Sequence, residues 1–131
     1  MLRTMVVEDQ AVPRRIVVEI LRELGVTQIL QAEDGQDALE QIRRGDTPLD
    51  VIICDLAMPR MDGVEFIRVV AEAKLGASII LVSALEAPVL ASVEAMARSQ
   101  GMVVLGVLEK PVTQQKLGDL LAHHEIGRAH V

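Results

Sequence analysis

The chain has 131 residues, half of them hydrophobic and 24% charged, with a formal net charge of −6. That describes one domain with a real core rather than a disordered segment, and its acidity disfavours non-specific contact with nucleic acid or anionic membrane. Phe66 is the only aromatic residue and Cys54 the only cysteine, which excludes aromatic platforms for single strands, internal disulfides and cysteine metal cages.

The elements follow in strict alternation. Met5 to Val7 reads as a first strand. Val12, Ile16, Ile20 and Leu24 then recur at four-residue spacing, predicting a helix with these residues on one face, Pro13 in its opening turn and Gly25 as its stop. A weaker strand covers Ile29 to Gln31, and Asp37 to Arg44 forms a second helix carrying Ala38, Leu39 and Ile42 and ending at Gly45. Val51 to Cys54 is a third strand, in which Cys54 reads as a buried, inert thiol. Val64 to Lys74 is a third helix stopped at Gly76, and Ile79 to Val82 a fourth strand. Leu85 to Gln100 is a fourth helix with Pro88 in its first turn, and Gly101 ends it. Met102 to Leu108 holds the fifth strand, and Thr113 caps a last helix carrying Leu117, Leu120 and Leu121. His123 and His124 close that helix and are expected to face solvent. Met58, Met61, Met96 and Met102 are expected to pack in core or loops. Residues 125–131 show neither helix periodicity nor turn logic and read as a disordered tail or scar outside a domain of residues 1–124.

The third and fourth strands are continuous apolar runs, as strands covered on both faces are. The order βαβαβαβαβα therefore predicts an α/β fold, a doubly wound sandwich with a five-stranded parallel sheet and helices on both faces. No segment has the apolar length to cross a bilayer, and the chain opens on structure-like sequence without a signal peptide, so a cytoplasmic location and no membrane partner are expected.

Ligands of such sheets sit at the carboxyl ends of the strands. There the sequence sets Glu8 and Asp9 after the first strand, Asp55 after the third, Ser83 after the fourth and Lys110-Pro111 after the fifth. Singly, each has a plain structural explanation: a turn former, a helix cap, a solvated loop residue. Together they crowd carboxylates whose mutual repulsion a hard cation such as Mg2+ would relieve, with Lys110 assisting. A carboxylate beside such an ion can be a nucleophile toward a phosphoryl group, and it needs no general base, being ionised at neutral pH.

These residues resemble the receiver domains of two-component response regulators, over nearly all of residues 1–124. VVEDQ is similar to the acidic pair of that family, and DLAMPRMDG, from Asp55 to Gly63, to its phosphoacceptor loop. The resemblance implies the flavodoxin-like (βα)5 fold and Asp55 as phosphoacceptor. It implies a Mg2+ site of Asp9, Asp55, Glu8 through water, and the Ala57 backbone carbonyl. It also implies Ser83, the Ala84 backbone N–H and Lys110 as phosphoryl-binding groups, a cis bond before Pro111, and Gly63 at the entry to the third helix. Two features depart from the family pattern. Val107 stands where an aromatic switch residue is usual, and the stretch from Ser83 to Lys110 is about five residues longer than usual, which alters a surface used for pairing. The string ARSQGMVVLGVLEKP resembles receivers that precede cyclic-di-GMP phosphodiesterase domains of the EAL type.

The implied partners are a histidine kinase or phosphotransfer protein, a C-terminal output domain in a longer parent (EAL-type by the narrower resemblance), and a second receiver in a homodimer. Direct binding of nucleic acid is not expected. Alternatives are a pseudo-receiver acting without phosphorylation, a small aspartyl-phosphate phosphatase and a flavin-type cofactor binder. The phosphatase would want a second Asp where Ala57 stands. The cofactor binder would want a phosphate cradle and a stacking aromatic, and the sequence has neither.

Overall fold

A computed structural model describes residues 2–45, 48–56, 63–73, 75–84 and 87–129. In chain order the elements are β1 (Arg3–Val7), α1 (Ala11–Glu23), β2 (Gln28–Ala32), α2 (Gly35–Arg44) and β3 (Val51–Asp55). Then come α3 (Gly63–Ala73), β4 (Ser78–Ser83), α4 (Ala87–Ser99), β5 (Val103–Glu109) and α5 (Gln114–Ala129). The five strands form one parallel sheet in the order β2-β1-β3-β4-β5. This is the doubly wound flavodoxin-like fold.

Every residue of β3 and of β4 is buried, because helices cover both faces. Successive side chains alternate between two cores. Met5, Ile52, Cys54, Ile79 and Leu81 pack with Phe66, Ile67 and Leu90, under α2, α3 and α4. Val6, Ile53, Ile80 and Val82 pack with Val17, Leu21, Leu117 and Leu121, under α1 and α5. Phe66, fully buried, is the largest side chain of the first core, where truncation to Ala would cost about 3–5 kcal/mol.

Local chemistry sets the boundaries. The Asp34 carboxylate accepts from the Asp37 N–H at 2.8 Å and caps α2. The Thr113 hydroxyl accepts from the Lys116 N–H at 3.3 Å and opens α5. Gly25 and Gly101, at φ +92° and +88°, turn the chain out of α1 and α4 through a conformation that a Cβ would strain. In β5 the register skips Leu105, since Ile79 pairs with Val104 and Ile80 with Gly106. A Cβ on Gly106 would come within 2.6 Å of Leu120, so the glycine lets α5 lie close to the edge strand.

Two expectations need correction. In α1 the buried residues are Val17, Val18 and Leu21, while Val12 and Ile16 are 66% and 49% exposed. Each four-residue step overshoots the 3.6-residue turn by about 40°, so a run of such steps spirals off the core face instead of lining it. His124 does not face solvent: it is buried, and its Nδ1 lies 3.1 Å from the Ser78 hydroxyl. The last helix passes residue 124 and continues to Ala129. No proline interrupts it, and each further residue adds one hydrogen bond to a helix already nucleated. Cys54 is buried as expected, as is Met102, and Met96 packs partly buried against the first core. Met58 and Met61 lie outside the described residues.

Candidate functional site

The chain leaves β1 for β2 on one side and reaches β3 on the other, with Val7 paired to both Ala32 and Cys54. The crevice at the carboxyl ends of β1 and β3 is thus the point where winding reverses. Glu8 and Asp9 stand on its β1 side, and Asp55, the last residue of β3, on the other. Glu8 and Asp55 are only 5% and 4% exposed.

The main chain around them is tied down on several sides. The Glu8 N–H donates to the Ala32 carbonyl at 3.1 Å, and the Leu56 N–H to the Val82 carbonyl at 3.2 Å. The Lys110 N–H donates to the Ser83 carbonyl at 3.3 Å, joining the ends of β4 and β5. The Lys110–Pro111 peptide is cis. The Lys110 side chain reaches back into the crevice, where Nζ donates to Asp55 Oδ2 at 3.0 Å and to Glu8 Oε1 at 3.2 Å. Glu8, Asp9 and Asp55 each offer a carboxylate oxygen within 4.8 Å of the others.

This crowding is costly. Burial first, and then the neighbouring Asp55 and Asp9 carboxyls, push Glu8 up to about 7, against the opposing pull of Lys110. Burial alone would lower Lys110, but Asp55 and then Glu8 outweigh it and hold the ammonium above its ordinary value. One cation thus serves two carboxylates, while Asp9 is the third in the cluster. Glu8 Oε2 is buried with no hydrogen-bond partner. An orphaned buried oxygen and three converging carboxylates fit a hard divalent cation, for which oxygen is the preferred donor.

Ser83 ends β4 and is buried, and Ala84 follows it, exposed. Gly63 opens α3. Val107 is half-buried on β5, packed against the core beneath α2, α3 and α4. Ala57 lies outside the described residues, as do Met58, Pro59 and Asp62 of the same loop.

Two features of the site escape sequence reasoning. Pro13, Ile16, Val82 and Val112 join Glu8 and Lys110 around a cavity of about 410 Å³, so an apolar shoulder adjoins the acidic crevice. On the other side Arg14, in the first turns of α1, donates from Nη1 to the Glu8 carbonyl at 2.9 Å. An arginine soon after an acidic pair is visible in the sequence, but the carbonyl it reaches is not.

Comparison with known proteins adds three relatives. Residues 4–122 match the family described as Response regulator receiver domain. The cyclic di-GMP phosphodiesterase RocR of Pseudomonas aeruginosa is 31% identical over 127 residues, covering 97% of this chain and 32% of that protein. The Regulator of RpoS of Escherichia coli K12 is 36% identical over 108 residues, covering 82% of this chain and 30% of that protein. A response regulator from Colwellia psychrerythraea superposes with a TM-score of 0.78 at 30% identity, covering 95% of this chain and 97% of that one. The chain therefore spans about a third of the length of the curated relatives it matches.

Proposed function

The chain belongs to the response regulator receiver domain family of two-component signalling, and from that premise we propose that the Asp55 carboxylate accepts a phosphoryl group from a phosphohistidine donor. The observation that carries this reading is the Lys110 ammonium bridging Asp55 and Glu8, with all three carboxylates gathered at the sheet's switch point. An Asp55 oxygen attacks phosphorus as the donor's nitrogen–phosphorus bond breaks, leaving an acyl phosphate and an imidazole that takes up one proton from solvent.

Asp9 and Asp55 would hold Mg2+ directly, Glu8 through water, and the Ala57 carbonyl would complete the set. When bound, the ion supplies charge neutralisation for the phosphoryl oxygens. Lys110 offers a second positive charge from the end of β5, while Ser83 and the Ala84 N–H donate hydrogen bonds from the end of β4. Residues 1–124 act as the receiver domain, and 125–131 lie outside it.

A protein donor is supported by exposed Ile16, which lines the apolar shoulder of the crevice, and by exposed Val12 about one helical turn before it in α1. Among the described residues no helix is long and apolar enough to cross a membrane. We assign the domain to the cytoplasm, as the input of a longer regulator. The RocR likeness supports an output domain of the cyclic-di-GMP phosphodiesterase class.

The test is intact-protein mass spectrometry after incubation with acetyl phosphate, with and without Mg2+, beside Asp55→Asn. A single Mg2+-dependent phosphoryl adduct, absent from the variant, is expected. No adduct on the folded wild type would turn the reading toward phosphorylation-independent binding, and an adduct retained by Asp55→Asn would move the acceptor elsewhere.

A further inference from the structure

Glu8 and Asp9 sit on a loop, not in a strand, and a metal site built on a loop is only as precise as whatever holds that loop. The Glu8 peptide is gripped from two sides. Its N–H is fixed by the Ala32 carbonyl of β2 at 3.1 Å. Its carbonyl is fixed by Arg14 Nη1 at 2.9 Å. The same guanidinium is itself anchored, since Nε donates to Gln31 Oε1 on β2 at 3.3 Å.

One planar cation thus ties α1, the β1–α1 loop and the edge strand β2 together. A guanidinium can do this because its donors diverge in one rigid plane; an ammonium on a flexible stem cannot reproduce both directions. Arg14 meets Glu8 at its main-chain carbonyl, so it acts on the loop through that bond.

Resting on the receiver reading above, we propose that Arg14 is a positioning residue for the metal site: its bond to the Glu8 carbonyl holds Glu8 and Asp9 in their ligating arrangement. Residues that orient metal ligands without touching the ion change affinity by about ten- to a hundredfold when removed. Arg14 is partly exposed and Gln31 exposed, so their replacement should leave the fold intact.

The experiment is Mg2+ titration by isothermal calorimetry on wild type, Arg14→Gln, Arg14→Lys and Gln31→Ala, with melting temperatures taken on the same samples. In parallel, the Mg2+ concentration for half-maximal phosphorylation by acetyl phosphate is measured. We expect Arg14→Gln to weaken Mg2+ binding about tenfold at an unchanged melting temperature. It should also raise the half-maximal Mg2+ concentration equally, with the rate at saturating Mg2+ preserved. Arg14→Lys and Gln31→Ala should fall between it and wild type. Unchanged Mg2+ affinity in Arg14→Gln would overturn the inference, as would a rate loss that saturating Mg2+ does not restore. A wild type that binds no Mg2+ would remove the receiver reading and this inference with it.

Discussion

Glu8 is a buried carboxyl crowded by two others. Its carboxyl is raised from 4.5 to about 7, chiefly by burial and then by Asp55, so the folded chain keeps a proton that the unfolded chain releases above pH 4.5. Stability from this group is full below that pH and lost as the pH rises toward about 7. The expected outcome, in metal-free buffer, is that the wild type loses roughly 1–3 kcal/mol relative to Glu8→Gln between pH 5 and pH 8. Urea unfolding at both pH values checks it, and parallel curves for the two proteins would contradict it. Lys110 has the opposite leaning, its charge reinforced by Asp55 and Glu8. Lys110→Met should therefore slow phosphorylation by acetyl phosphate by about a hundred- to a thousandfold while Mg2+ still binds, the range seen when one charge-stabilising group is lost from a transition state. A single-turnover rate at saturating Mg2+ measures this.

Elements show where pattern reading succeeds and where it fails. Strand and helix order was legible because period and punctuation agree: apolar runs in β3 and β4, glycines after α1, α3 and α4, Thr113 before α5. The facing of α1 was not, because a four-residue repeat looks like a stripe in sequence but spirals in space. Two variants separate these cases. Val12→Ser with Ile16→Ser should change stability by under about 0.5 kcal/mol, whereas Leu21→Ala, fully buried, should cost about 2–5 kcal/mol. The same Val12/Ile16 double variant should react normally with acetyl phosphate yet accept phosphate more slowly from a histidine kinase. Equal rates from the kinase would remove the apolar shoulder from donor docking. α5 teaches a related lesson. His124 looks like a dipole-complementing surface residue, but α5 rotates it toward the start of β4, where Ser78 satisfies one ring nitrogen. His124→Ala should cost about 1–3 kcal/mol by thermal unfolding, from the lost hydrogen bond and burial.

At the scale of the whole molecule, the two cores serve one purpose: they hold the strand ends still so that charged groups distant in sequence can meet. Lys110 is 102 residues from Glu8 and 55 from Asp55, yet bonds both. Sequence by itself determined the element order, the parallel class of the sheet, and the identity of Glu8, Asp9, Asp55, Ser83 and Lys110 as strand-end residues. It could do so because periodicity and turn chemistry are local, and because the carboxyl-end rule turns position along a strand into position in space. Only the tertiary structure decided which carboxylates Lys110 bridges, that Glu8 is buried deeply enough to hold its proton near neutrality, and which face of α1 turns inward. Only it brought Arg14 to the Glu8 carbonyl. These depend on strand order, helix rotation and burial, which are set by packing among segments far apart in the chain, and packing leaves no periodic trace in any one of them.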